Sequence, residues 1–277
     1  MVESFAEVNG IKICYEKHGD GYPVFLIHGY GSIKENWMSQ IPALSKVYMV
    51  INPDNRGSGN SDRPNIPYTM EMYADDIKGL MDHLGLEKIN IIGWSLGGMI
   101  VQNFIIKYPE SVNKMVLINT FPGFPNEQGL NMYKQGQIDG LAAAKADPVK
   151  AFFDGGIGWS RKFKKEMMAD PKKKFHGLFS AEDLIRIKNR NPNTPEDIEN
   201  AANAIAGHAV TDRLPDLQHK TLLIASEKDR IAPVYSMEQI HEKIPNSELI
   251  VIKVAGHDSP HQASPEVNQA ILDFLKN

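Results

Sequence analysis

Short apolar runs alternate along this chain with longer segments whose apolar residues recur every three or four positions. Pro23–Ile27, Val47–Ile51, Lys88–Ile92, Lys114–Asn119, Lys220–Ala225 and Leu249–Val254 are runs of the first kind. Continuous apolar stretches of this length suit parallel strands covered on both faces. The segments 32–45, 69–84, 99–106, 236–244 and 265–275 have helical spacing. Trp37, Ile41 and Leu44 share a face in the first of these. Tyr73, Ile77, Leu80, Met81 and Leu84 share one in the second, with Thr69 as its cap and Gly85 as its stop. Before them, Ala6–Val8, Asn9-Gly10 and Ile11–Glu16 read as a β-hairpin, because both turn residues accept positive φ.

The rhythm stops at residue 122, where Pro122 and Pro125 interrupt the chain, and resumes near residue 213. The stretch between carries helical pieces and no convincing buried strand. It is too long for a simple loop. The pattern predicts an α/β fold: a mostly parallel sheet with helices on both faces, built from residues 1–121 and 213–277, with a mostly helical insertion over 122–212. On such a sheet, active residues lie beyond the carboxyl ends of the strands.

One strand end carries the clearest chemistry. Gly93-Trp94-Ser95-Leu96-Gly97-Gly98 joins the strand 88–92 to the helical segment 99–106. This is the G-x-S-x-G nucleophile elbow: a tight strand–turn–helix whose apex residue is strained and whose neighbours must lack side chains. The turn lifts the Ser95 hydroxyl above the sheet, at the positive end of the following helix.

A serine needs a base near neutral pKa, and that base needs an acid to orient it. His257 follows the last strand in Ala255-Gly256-His257-Asp258 and is the candidate base; His261 is its nearest rival. Asp229, after the strand 220–225, is the candidate acid, with Glu227 as the local rival. The order Ser95, Asp229, His257 is the one the elbow implies. The Leu96 N–H is the first candidate oxyanion donor. The second comes from the loop His28-Gly29-Tyr30-Gly31, where Tyr30 N–H is preferred and Gly29 N–H is the alternative. His28 reads as a loop-shaping residue. Gly29, Trp94 and Phe121 are expected at the substrate, with Phe124, Trp159 and His208 as further wall candidates.

Composition narrows the setting. The 277 residues carry a net charge of −4, which argues against a nucleic-acid partner, and the basic runs at 161–165 and 172–174 read as solvated faces. Cys14 is the only cysteine, so an intrachain disulfide is excluded, and its place in an alternating strand suits a small core residue. The first residues lack a basic region and a long apolar stretch, and no run is long enough to span a bilayer; no signal peptide or membrane partner is expected, and a cytoplasmic location is the default.

His28-Gly29-Tyr30-Gly31, the loop Asp54–Ser61, the elbow, Asp229 and Gly256-His257 together resemble the α/β-hydrolase superfamily. The likeness covers nearly the whole chain and looks closest to the esterase, enol-lactonase and cofactor-free haloperoxidase branch. It implies eight strands, a helical cap over 122–212, and a structural role for Asp54–Arg56. Ser95 stands where haloalkane dehalogenases and epoxide hydrolases of this fold carry aspartate, which excludes a carboxylate nucleophile. The expected activity is hydrolysis of a small-molecule carboxylic ester through an acyl-serine, with no metal and no organic cofactor. The alternatives are lactone or C–C bond hydrolysis or perhydrolysis by the same triad, and a non-enzymatic ligand-binding protein on the same fold. Neither substrate identity nor oligomeric state is legible in the sequence.

Overall fold

The structure, a computed structural model, describes residues 3–124 and 126–277. Pro125, expected to break the chain together with Pro122, lies outside them. Eight strands form one sheet in the order β1-β2-β4-β3-β5-β6-β7-β8. These are β1 Ser4–Val8, β2 Ile11–His18, β3 Tyr22–Ile27, β4 Tyr48–Pro53, β5 Ile89–Trp94, β6 Val112–Ile118, β7 Lys220–Ser226 and β8 Ser247–Ile252. The pairs β1/β2 and β2/β4 are antiparallel; every later pair is parallel. The β1–β2 turn is the expected Asn9-Gly10, with φ of 49° and 78°.

Two-residue periodicity within the apolar runs separates the two faces. Phe25, Ile27, Ile91, Met115, Leu117 and Leu223 point into one buried cluster. Helices α2 (Met70–His83), α3 (Leu96–Lys107) and α9 (Val234–Lys243) cover that cluster with Ile77, Leu80, Val101, Phe104 and Met237. Val24, Leu26, Ile92, Val116, Ile118 and Leu222 point the other way. There they meet Trp37, Leu44 and, from α11 (Ser264–Lys276), Val267 and Ile271. A one-residue slip in any central strand would exchange these faces, so both coverings pin the register.

Thr69 caps α2 as expected, its hydroxyl accepting from Met72 N–H at 3.2 Å. Gly85 follows with φ 66°. The segment 32–45 departs from expectation. It is not one helix but a 3₁₀ turn, Lys34–Trp37, and a single α turn, α1 (Ile41–Leu44). Pro42 has no N–H to give to a preceding turn, so it can only start a helix there, and the chain restarts around it. The last strand begins and ends two residues earlier than the apolar run suggested; Lys253 and Val254 are exposed and already belong to the following turn.

Among the described residues, five α-helices lie between β6 and β7: α4 (Glu127–Ala146), α5 (Pro148–Asp154), α6 (Arg161–Ala169), α7 (Ala181–Arg190) and α8 (Pro195–Ala206). Among the described residues, this insertion contributes no strand to the sheet. It has its own aromatic cluster, with Phe152, Phe153, Trp159, Phe175 and Phe179 buried together. After β8 come a short turn, α10 (Ser259–Gln262), and α11. Among the described residues, no helix is long and apolar enough to cross a membrane.

Candidate active site

The elbow is built by steric exclusion. Ser95 lies between β5 and α3 with φ 59° and ψ −121°, a conformation L-residues seldom adopt. A methyl group on Gly93 would lie 2.4 Å from Gly97 O. One on Gly97 would lie 2.0 Å from Ile27 O, and one on Gly98 would lie 2.6 Å from Thr120 Cβ. Only glycine at these positions lets α3 sit this close to β3, β5 and the start of the next loop. Thr120 Oγ1 donates to Ser95 O at 2.7 Å and fastens the apex from the β6 side.

The loop after β3 packs directly on the apex. A methyl on Gly29 would meet Ser95 Cβ at 3.2 Å. His28 shapes this loop, as the sequence suggested. Asn55 N–H donates to its Nε2 at 3.0 Å, so the proton is on Nδ1, which donates to Gly29 O at 3.0 Å. Burial lowers the His28 pKa and keeps the ring neutral. Tyr30 ties the same loop to the insertion by donating to Ile198 O at 2.7 Å. Among the described residues, neither Tyr30 N–H nor Leu96 N–H has a protein acceptor.

Asp54–Arg56 is a scaffold beneath this loop. The Asp54 carboxylate accepts from Lys34 N–H, Lys34 Nζ and Asn60 N–H at 2.8, 3.1 and 2.9 Å. Arg56 makes a two-pronged pair with Asp76 at 2.6 and 2.7 Å.

Asp229 and His257 are brought together from the ends of β7 and β8. Asp229 Oδ1 accepts from Ile231 N–H and Ala232 N–H at 2.7 and 2.8 Å. Its Oδ2 faces His257 Nδ1 at 2.8 Å. A carboxylate can only accept, so Nδ1 carries the proton and Nε2 keeps its lone pair. Burial disfavours the charged imidazole, but the charge and hydrogen bond of Asp229, with the nearby Asp258 carboxylate, outweigh it and raise the His257 pKa above 6.5. The His257 carbonyl is held by Trp94 Nε1 at 3.0 Å and Asn119 Nδ2 at 2.8 Å.

Ser95 and His257 line one cavity of about 210 Å³, with Gly29, Tyr30 and Trp94 beside them. Among the described residues, no hydrogen bond joins Ser95 to His257; such contacts commonly tighten only when substrate is bound. The insertion closes the opposite wall with Tyr133, Phe152, Trp159 and Lys188. Of the residues expected at the substrate or on its wall, Gly29, Trp94 and Trp159 line this cavity. Phe121, Phe124 and His208 do not line it. Phe121 O accepts from Gln102 and His208, and its ring packs on Phe124 at 5.3 Å, below the site. The rival His261 is buried, bonded to Ser39 Oγ at 2.9 Å, and lowered to about 4 by burial, which suits a wall residue better than a base. Glu227 is exposed and pairs with Lys228. Asp258 reads in the sequence as a loop residue adjoining the base; Asn119 and Lys188 were not singled out there. Asn119 and Asp258 also follow strand ends, the criterion that found Asp229 and His257.

The sheet order, the serine elbow and the hydrogen-bonded Asp229–His257 pair beyond the strand ends define a class, and comparison with known proteins agrees. The family described as alpha/beta hydrolase fold matches residues 22–263, and the chain belongs to it. The chain is 27% identical to the 2-hydroxymuconate semialdehyde hydrolase of Pseudomonas sp. strain CF600, covering 96% of this chain and 91% of that protein. Its fold matches a thermophilic esterase from Thermogutta terrifontis at a TM-score of 0.82, with 28% identity over 100% of this chain and 98% of the other. A bromoperoxidase from Bacillus anthracis matches at a TM-score of 0.82, with 26% identity over the full length of both.

Proposed function

We propose that this hydrolase cleaves small carboxylic esters through an acyl-serine, with Ser95 as nucleophile, His257 as base and Asp229 as the acid that orients it. In this reading the insertion 122–212 caps the cavity. His257 Nε2 takes the Ser95 proton as Oγ attacks the carbonyl carbon. The oxyanion that forms is held by Leu96 and Tyr30 N–H; in a comparable enzyme, one such donor contributes roughly 3–4 kcal/mol to the transition state. His257 then protonates the departing alcohol, and water repeats the sequence on the acyl-serine.

The single observation that carries this reading is the Asp229–His257 hydrogen bond, which leaves an unprotonated Nε2 on the cavity that Ser95 also lines. Hydrolysis of p-nitrophenyl acetate and butyrate tests it: wild type is active and Ser95→Ala is not. Equal rates for the two would overturn it. The likeness to a semialdehyde hydrolase over nearly the whole chain favours C–C bond hydrolysis as a second reading with the same residues. A preference for 2-hydroxymuconate semialdehyde over simple esters would select it.

A further inference from the structure

The segment 155–160, between α5 and α6, crosses directly over the loops that carry Asp229 and His257. Arg230, next to Asp229, donates from Nη2 to Ile157 O at 2.8 Å and more weakly to Trp159 O at 3.5 Å. Asp258, next to His257, donates its N–H to Gly158 O at 3.2 Å. Gln262 completes the clasp from α10. Its Oε1 accepts from Gly256 N–H at 3.0 Å and from Ser160 N–H at 3.2 Å. Its Nε2 donates to Ser160 Oγ at 2.5 Å. The backbones touch so closely that a methyl on Gly158 would lie 2.1 Å from Asp258 Oδ2, and one on Gly256 would lie 2.3 Å from Gly158 O.

These bonds fall on residues beside the proposed acid and base, and that placement has a mechanical consequence. The sheet holds the His257 loop by its carbonyl, through Trp94 and Asn119. On either side of His257, the N–H groups of Gly256 and Asp258 find their acceptors on Gln262 and on the insertion. Buried backbone donors need partners, so the loop's resting position depends on those acceptors. We propose that Gln262 and Arg230 are positioning residues. They fasten the segment 155–160 to the two loops of the relay, so that Asp229 and His257 keep their alignment only while that segment is seated. The activity readout rests on the hydrolase reading above; the coupling itself does not.

The test compares full-length wild type with Gln262→Met, which keeps length and volume but loses every clasp bond of that side chain, and with Gln262→Glu. The glutamate still accepts from both N–H groups, and Ser160 Oγ then donates to it. Amide hydrogen exchange is read at Ser160, which loses its acceptor directly, and at Asp258, Ile231 and Ala232, which do not. In Gln262→Met the second group is expected to exchange about tenfold faster along with Ser160. On p-nitrophenyl acetate, kcat is expected to fall roughly tenfold or more with KM nearly unchanged, because displacement of about 1 Å is that costly to an aligned relay. Gln262→Glu restores both. Faster exchange at Ser160 alone, with Asp258 and 231–232 as in wild type, would overturn the proposal. Should Gln262→Met fail to fold, Arg230→Met loosens the clasp from its exposed side without taking an acceptor from any of these N–H groups; faster exchange at Asp258, Ile231 and Ala232 is then expected, and wild-type exchange there would overturn the proposal. A wild type inert toward esters would count against the hydrolase reading alone, and the exchange result would still decide the coupling.

Discussion

Replacing Asp229 with asparagine changes one atom's chemistry while keeping the shape, and the structure dictates which way the new amide faces. The Oδ1 site receives two backbone N–H groups, from Ile231 and Ala232, at 2.7 and 2.8 Å. An amide nitrogen there would set donors against donors, so the asparagine oxygen takes that site. Its NH₂ is then forced toward His257 Nδ1, where the carboxylate oxygen stood at 2.8 Å. The imidazole must accept at Nδ1 and carry its proton on Nε2, the tautomer that cannot remove a proton from Ser95. The corresponding change in serine proteases lowers kcat by about 10⁴-fold, roughly 5.5 kcal/mol at about 1.4 kcal/mol per factor of ten, while leaving the geometry intact. The same loss is expected here for p-nitrophenyl butyrate hydrolysis at pH 8, with a melting temperature within a few degrees of wild type. A loss under about tenfold in a folded Asp229→Asn protein would refute the assignment of the acid.

Three further outcomes follow from the same structure. In the proposed mechanism the base is neutral His257, whose pKa is raised, so kcat/KM is expected to fall as pH drops through an apparent pKa above the ordinary histidine value. The groups facing the ring with charge are Asp229 and Asp258; Asp258→Asn is expected to move that acidic limb to lower pH, as read from a pH–rate profile. Gly97→Ala places a methyl 2.0 Å from Ile27 O and 2.8 Å from His28 O, backbone atoms with little room to yield. It is expected to cost about 1–3 kcal/mol or more in urea unfolding and to slow ester hydrolysis in the protein that still folds.

The legible parts of this molecule are those set by local rules. Gly93, Gly97 and Gly98 announce a turn because the contacts they make are with near neighbours in sequence or with the ends of the two strands that flank β5. Asp229 and His257 were found by position, since a parallel sheet presents its strand ends on one edge. The cavity wall was harder. Tyr133, Phe152 and Lys188 reach the site only because the insertion folds back over the sheet, which no local spacing reveals. Phe121, expected at the substrate as part of an apolar wall, follows β6. The hydrogen bonds of Gln102 and His208 to its carbonyl turn it toward the sheet–insertion junction instead. The face that Trp37, Ile41 and Leu44 share predicts one helix over 32–45, but apolar periodicity survives the break in the backbone that Pro42 makes necessary.

The central claim is that residues 229 and 257 make the hydroxyl of residue 95 reactive. Labelling of folded protein by a fluorophosphonate probe, located by peptide mass spectrometry, measures this directly. Stoichiometric modification of Ser95 in wild type, slowed by orders of magnitude in His257→Ala, is the result predicted. Labelling of Ser95 at the same rate in both proteins, or modification of some other residue, would contradict it.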